Sequence, residues 1–198
     1  MPKGKGSGFE RELCRLLTAW WTGDPDRDVI FWRTSQSGGR ATFRRRSGKA
    51  TNQSHCGDVT ALGKPGRILT RLITIELKRG YNKATANDVI DCPAGRVQQK
   101  IEEFFQQAVE AADAAKTPYW MIIHKRDMRR SVVYLPLDLF ERLDALGCFV
   151  RVPGMILAAE MRQADKTVRF LQVAAISLDD FLTSVDPQDV KTVRKQLR

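Results

Sequence analysis

Two ionisable side chains interrupt an otherwise apolar segment, ITIELKRG, at residues 73–80. The period-two alternation of a β-strand places Glu76 and Lys78 together on one face. The apolar residues on the opposite face are Ile73, Ile75 and Leu77. An acidic and a basic residue two positions apart also fit the solvated face of an edge strand, so this pair alone does not define a site.

A second carboxylate, Asp58, lies 18 positions before Glu76, in a segment that predicts a short strand ending in a Gly-Lys-Pro-Gly turn. Antiparallel pairing of that strand with residues 70–80 would bring Asp58 beside Glu76. Two carboxylates so placed repel each other unless a cation lies between them, and oxygen-only ligands favour Mg²⁺ or Mn²⁺. Such an ion activates water and polarises a phosphate, while a nearby lysine stabilises developing negative charge. The chemistry that this set suits is phosphodiester hydrolysis.

The charge distribution favours a polyanionic partner such as nucleic acid, because 33 Lys and Arg outweigh 23 Asp and Glu to give a net charge of +10. No acidic residue occurs from Val29 to Gly57, a segment whose Gly, Ser, Thr, Asn and Gln content predicts a long loop. We expect phosphate contacts from this segment and from the end of the following strand; the alternative is a solvated loop that only aids solubility. The basic residues concerned are Arg33, Arg40, Arg44, Arg45, Arg46, Lys49 and Arg79.

The sequence lacks the residues that several other functional classes need. Four cysteines without a C-x-x-C pair argue against a zinc ribbon or a disulfide framework, and two histidines, His55 and His124, leave little for a histidine-based site. No G-x-x-x-x-G-K-[ST] motif is present for ATP binding. No apolar run is long enough to span a bilayer, and residues 1–7 lack the apolar stretch of a signal peptide. The sequence therefore predicts an intracellular, cytoplasmic protein.

Apolar periodicity predicts the order of the secondary-structure elements. Helices are expected over residues 8–21, 95–116, 136–146 and 177–185, with a basic tail at the end. Strands are expected over residues 29–35, 56–63, 70–80, 119–126, 131–137, 148–161 and 167–178. This order indicates an α/β fold with a mixed central sheet flanked by helices and a C-terminal β-rich extension. We expect a basic leader at residues 1–7, a core at 8–146 and an extension at 147–198 packed on that core.

Three segments, GFERELCRLL, CGDVTALG and ITIELKRG, occur in that order and are followed by a long helix that contains VQQK. On these motifs the sequence resembles the PD-(D/E)xK nuclease superfamily, and within it most closely the archaeal-type Holliday-junction resolvases. The resemblance extends from Gly8 to the strand at residues 119–125 and implies a restriction-endonuclease-like core. The sequence departs from the superfamily signature at Gly57, where that signature has proline, and its basic segment is longer than in a minimal resolvase.

The resemblance implies a role for each matching residue. Asp58 and Glu76 would bind the metal together with the backbone carbonyl of Leu77 and with Glu10 from the first helix. Lys78 would be the catalytic lysine.

Two assignments stay open on the residues alone. Helical periodicity does not distinguish Glu10 from Glu12, since both flank the apolar stripe, and only the resemblance selects Glu10. Gln98, on the flank of the predicted long helix, would hold the attacking water or a phosphate, or would simply be solvated.

These observations predict a Mg²⁺-dependent DNA endonuclease, with Mn²⁺ able to substitute, that is selective for branched DNA as in junction resolution during recombination and repair. The alternatives are a non-catalytic nucleic-acid-binding protein on the same fold and a nuclease for linear duplex DNA. Because a four-way junction has approximate two-fold symmetry, we expect a homodimer. The apolar strands between Gly147 and Leu178 would form its interface or would complete the core of the monomer.

Overall fold

The computed structural model describes residues 5–34, 56–91, 98–162 and 167–197. Its strands are β1 (Phe31–Arg33), β2 (Val59–Ala61), β3 (Ile73–Arg79), β4 (Tyr119–Lys125), β5 (Ser131–Pro136), β6 (Gly154–Arg162) and β7 (Val168–Ser177). Its α-helices are α1 (Lys5–Thr22), α2 (Arg67–Leu72), α3 (Lys100–Ala115), α4 (Leu137–Asp144), α5 (Leu178–Ser184) and α6 (Pro187–Gln196). A short 3₁₀ helix spans Ala86–Val89.

Five strands form one mixed sheet in the order β3-β4-β5-β7-β6, so β3 is an edge strand. The β3–β4 pair is parallel and places Lys78 beside His124, whereas the other neighbouring pairs are antiparallel. The predicted α/β fold with a mixed sheet between helices is confirmed. It corresponds to a restriction-endonuclease-like core.

Helices cover both faces of the sheet at β3, β4 and β5, whose side chains are buried on both sides, whereas β6 buries mainly one face. The core on one face includes α1 residues spaced for a helical stripe, namely Phe9, Leu13, Leu17 and Trp21, and it continues through α2, α4, α5 and α6. The core on the other face is built on α3, whose buried stripe includes Ile101, Phe104, Phe105 and Ala108. This three-layer arrangement fixes β3 between α1 and α3.

The segment before β3 differs from the predicted antiparallel pairing of two neighbouring strands. Residues 67–72 form α2, whose Leu69 and Leu72 are buried, and β3 begins only at Ile73. The short strand β2 pairs antiparallel with β1, not with β3, in a separate two-stranded sheet. The helix separates β2 from β3, so the turn that we expected to join them as a hairpin leads into α2.

The C-terminal segment contributes to the same sheet. β7 pairs with β5, and β6 pairs with β7. Residues 148–153 precede β6 without forming a strand, and the end that we expected to be a basic tail forms α6, which buries Val190 and Val193. Asp186 caps α6 by accepting a hydrogen bond from the backbone N–H of Gln188.

The helices found in residues 5–34, 56–91, 98–162 and 167–197 include none that is long and apolar enough to cross a membrane.

Candidate active site

Glu76 and Lys78 lie on the α3 side of the edge strand β3, as the alternation of the sequence predicts. Their side chains are 14% and 15% exposed, and the Lys78 ammonium donates to Glu76 Oε2 over 3.1 Å. Residues of the opposite face, Ile73, Ile75 and Leu77, belong to the α1-side core. The pair is therefore not a solvated strand face but a nearly buried ion pair at one edge of the sheet.

Asp58 lies against the outer edge of β3 and is bound to its backbone twice. Its own N–H donates to the Ile75 carbonyl over 2.8 Å, and its Oδ2 accepts from the Leu77 N–H over 2.8 Å. The expected proximity of Asp58 to β3 is thus present, but it arises from the residue before β2 and not from a β2–β3 hairpin. The N–H of Thr34 donates to the Asp58 carbonyl over 3.0 Å and ties β1 to the same point.

Gly57 explains how the chain reaches β3 without the proline of the superfamily signature. Its φ is +73°, a left-handed conformation that the proline ring excludes. A Cβ at this position would lie 2.9 Å from the Ile75 carbonyl oxygen and 2.9 Å from Thr74 Cγ2. Its carbonyl accepts from the Thr34 hydroxyl over 2.7 Å. Glycine is therefore the residue that allows Asp58 to approach the strand so closely.

The carbonyl of Leu77 also points toward Asp58. In an extended strand the N–H and the C=O of one residue point to the same side. The Leu77 N–H is bound to Asp58 beyond the free edge of the sheet, so its carbonyl lies on that edge too. Backbone and side-chain oxygens thus converge on one margin of β3.

Two acids, Asp58 and Glu76, lie close together in a partly buried site, and this affects the pKa of Glu76. Burial raises the pKa of Glu76 to about 7, and the negative charge of Asp58 and a hydrogen bond with it act in the same direction, whereas Lys78 acts against them. A carboxyl in this setting retains a proton at pH values where an exposed one has lost it. A bound cation would replace that proton.

Glu10 approaches the same cluster from α1. Burial raises the pKa of its carboxyl and the charge of Asp58 adds to the rise, while Arg33 and Arg11 lower it. Arg33 forms an ion pair with Glu10 over 3.5 Å. Glu12, by contrast, is exposed and lines a surface groove on α1 together with Arg11 and Arg15.

The residue that α3 presents to Lys78 is Gln107, which the sequence analysis did not single out. The Lys78 ammonium donates to Gln107 Oε1 over 3.1 Å. Gln98 precedes α3, which begins at Lys100 and not near residue 95, and its amide donates to Gln106 over 2.8 Å. Gln107 follows the buried Phe104 by three residues, about one helical turn, so the two side chains lie on the same side of α3.

Most of the predicted phosphate-binding set lies outside the described residues, namely Arg40, Arg44, Arg45, Arg46 and Lys49. The two members that are described both have partners near the site. Arg33 is paired with Glu10, and the guanidinium of Arg79 lies 5.5 Å from the ring centroid of Phe9.

The donor chemistry of the cluster fits a hard divalent cation. Within the described ranges no group of three or more His, Cys, Asp or Glu side chains is arranged to hold a metal. Mg²⁺, however, is commonly held by one or two carboxylates with water and substrate phosphate completing its shell. Asp58, Glu76 and the Leu77 carbonyl supply oxygen donors only, and burial and the charge of Asp58 raise the pKa of Glu76. These residues therefore fit the ion, with Glu10 nearby.

Comparison with known proteins agrees with this geometry. The model of a family described as "Phage putative PDDEXK endonuclease" matches residues 1–192. No curated protein and no solved structure matches the chain.

Proposed function

The chain belongs to this phage PDDEXK endonuclease family, and from that premise we propose that it is a Mg²⁺-dependent DNA endonuclease, able to use Mn²⁺, that prefers branched DNA. The observation that carries the proposal is the cluster of Asp58, Glu76 and Lys78 at the free edge of β3. A nucleic-acid-binding protein has no chemical need for a nearly buried pair of acids with a lysine beside them.

The residues divide the work of phosphodiester hydrolysis between them. Asp58, Glu76 and the Leu77 carbonyl would hold the cation, and Glu10 would contribute a further carboxylate from α1. The bound ion would polarise the scissile phosphate and make an attacking water more acidic. Lys78, held by Glu76 and Gln107, presents a positive charge that stabilises the negative charge developing on the phosphate.

The preference for branched DNA rests on the resemblance to junction resolvases and on the net charge of +10. Arg44, Arg45 and Arg46 would neutralise phosphates of the DNA arms. Replacing all three by Ala should then flatten the plot of log affinity against log salt by roughly one unit of slope for each lost contact.

A two-fold junction calls for two sites, and a homodimer supplies them. One face of the β6–β7 pair exposes apolar side chains that a second copy would cover, namely Ile156, Val168 and Phe170. Light scattering at micromolar concentration tests this part of the proposal, because a monomer under cleavage conditions contradicts it.

The cleavage experiment compares four-way, flapped, linear duplex and single-stranded DNA, each with Mg²⁺ or with EDTA. We expect the four-way junction to be cut fastest, and no substrate to be cut in EDTA. Glu76→Gln should abolish cleavage, whereas the control Glu141→Gln, which changes an exposed carboxylate on α4, should not. Equal cutting of linear duplex and junction would contradict the branched-DNA preference, and activity in EDTA would contradict the metal.

A further inference from the structure

The chain makes an unusual turn directly after the catalytic strand. Gly80 and Tyr81 both have positive φ, +80° and +50°. Glycine adopts this conformation without strain, but a bulky aromatic residue rarely does. The Tyr81 side chain nevertheless gains little burial from it, because the residue is 53% exposed. Packing alone therefore does not account for a tyrosine here.

Neighbouring groups hold this turn in place from the β4 side. The Gly80 N–H donates to the Lys125 carbonyl over 3.0 Å, and the Gly80 carbonyl lies 3.1 Å from the ring nitrogen of His124. Asn82 and Asp127 exchange two hydrogen bonds, of 3.0 Å and 2.8 Å. The backbone on both sides of Tyr81 is thus fixed, and its ring is presented in a defined position.

Phe104 of α3 connects Tyr81 to the active site. The ring centroids of Tyr81 and Phe104 are 5.0 Å apart at an interplanar angle of 73°. The Lys78 ammonium lies 5.5 Å from the same Phe104 ring. Only one buried aromatic ring therefore separates Tyr81 from the proposed catalytic lysine.

Several basic side chains lie on the elements around Tyr81, together with the carboxylates of Glu103 and Asp127. The ammonium of Lys100 lies 5.9 Å from the Tyr81 ring centroid, and it is paired with Glu103 one turn along α3. The turn after β4, which Asp127 joins to Asn82, carries Arg126, Arg129 and Arg130. A nucleic-acid strand that leaves the active site past the end of β3 would meet an exposed ring flanked by cations.

We propose that Tyr81 stacks on an unpaired base of the substrate next to the cleavage site, while Lys100 and the arginines of the Arg126–Arg130 turn contact the adjoining phosphates. A base within an intact duplex offers no free face, so stacking requires a nucleotide that is single-stranded or displaced from its pair. The proposal rests on the function proposed above and adds that a nucleotide on one side of the cut is unpaired or, in a fully paired junction, displaced from its pair at the branch point.

The test measures binding without metal, so that it does not depend on cleavage. Fluorescence anisotropy in EDTA compares a fluorescein-labelled single strand of about 20 nucleotides with a blunt duplex of the same sequence. Tyr81→Gly removes the ring and its contact with Phe104 but suits the positive φ, so it should still fold. It should bind the single strand about tenfold more weakly and the duplex unchanged. Tyr81→Phe should retain binding.

Leu146→Ala is the control, since Leu146 is an exposed apolar residue that follows α4, and α4 packs on β5 and β7. It should change binding to neither DNA. The proposal is overturned if Tyr81→Gly binds the single strand as tightly as the wild type, if it loses affinity for the duplex equally, or if Leu146→Ala has the same effect. If the wild-type protein cuts DNA but any of these results is obtained, the stacking proposal fails and the nuclease function stands.

Discussion

The ammonium of Lys78 on β3 donates to the side-chain oxygen of Gln107 on α3 over 3.1 Å. This bond joins the edge strand of the sheet to the helix that covers it. Lys78 also donates to Glu76, so its ammonium is held from two directions. If Lys78 has the proposed catalytic role, Gln107 is a positioning residue that would act on the reaction through the lysine.

Replacing Gln107 by Leu should lower the cleavage rate about tenfold, because the lysine loses one of the two partners that hold it. Gln107→Glu keeps an oxygen that accepts from the ammonium, so it should retain more of the cleavage rate than Gln107→Leu. The control is Gln106→Leu, which alters the neighbouring glutamine bonded to Gln98 and Glu110. Equal effects of the Gln106 and Gln107 variants would contradict the assignment.

Glu10 and Glu12 should differ sharply although they are two residues apart. Glu10→Gln removes a partly buried acid that is coupled to Asp58, so it should weaken Mg²⁺ binding and slow cleavage. Glu12 is exposed, so Glu12→Gln should leave both unchanged. The rise in melting temperature on addition of Mg²⁺ measures the first effect independently of activity. A larger loss in the Glu12 variant would reverse the assignment.

The metal-free protein should lose stability as the pH rises toward neutrality. The pKa of Glu76 is about 7 in the folded protein against 4.5 for an ordinary glutamate, so between these values the folded state binds more protons than the unfolded state. The free energy of unfolding then falls with rising pH across this window, by up to about 3 kcal/mol, and is level below it and above it.

Thermal melts in EDTA at pH 5 and pH 8 test whether stability falls as the pH rises. Between pH 5 and pH 8 the wild type should lose more stability than Glu76→Gln. The difference between the two losses measures the contribution of Glu76 separately from that of Glu10, whose pKa is also raised. Saturating Mg²⁺ at pH 8 should restore the wild type, because the ion replaces the proton. Equal losses of stability in the two proteins would show that ionising Glu76 does not destabilise the fold, which contradicts the prediction.

Gly57→Ala should destabilise the protein by roughly 2 kcal/mol. Alanine is strained in the left-handed conformation, and its Cβ would clash with β3. Gly23→Ala is its control, since Gly23 has a φ of +70° but no heavy atom within 4 Å of the added Cβ. The control should cost about 1 kcal/mol, which the backbone alone accounts for. Urea unfolding measures both, and equal losses would mean that β3 yields to the added methyl group.

The alternation of β3 and the helical stripes of α1 and α3 could be predicted from the sequence because each is a local pattern. Asp58, Glu76 and Lys78 were singled out in the same way, from residue types and order. The family match supports the nuclease assignment that followed from them. The route by which Asp58 reaches β3 could not be predicted, since it depends on the left-handed Gly57 and on a helix where a strand was expected.

Gln107 and Tyr81 were missed for a different reason. A glutamine on a helix or a tyrosine after a strand carries no signal until packing shows what lies beside it. Phe104 brings α3 against Lys78 and against the turn at Tyr81, and that contact depends on the register between helix and sheet. Register is a tertiary property, so local periodicity does not determine it.

The two hydrogen bonds from Asp58 to β3 have a consequence for solubility. An exposed edge strand offers free N–H and C=O groups to other chains and promotes aggregation. Here the Ile75 carbonyl accepts from the Asp58 N–H, and the Leu77 N–H donates to the Asp58 carboxylate. A substitution chosen only to inactivate the enzyme, such as Asp58→Ala, would also open this edge to intermolecular pairing. Asp58→Asn, whose amide oxygen can still accept from Leu77, is therefore the safer inactive variant for preparing concentrated protein.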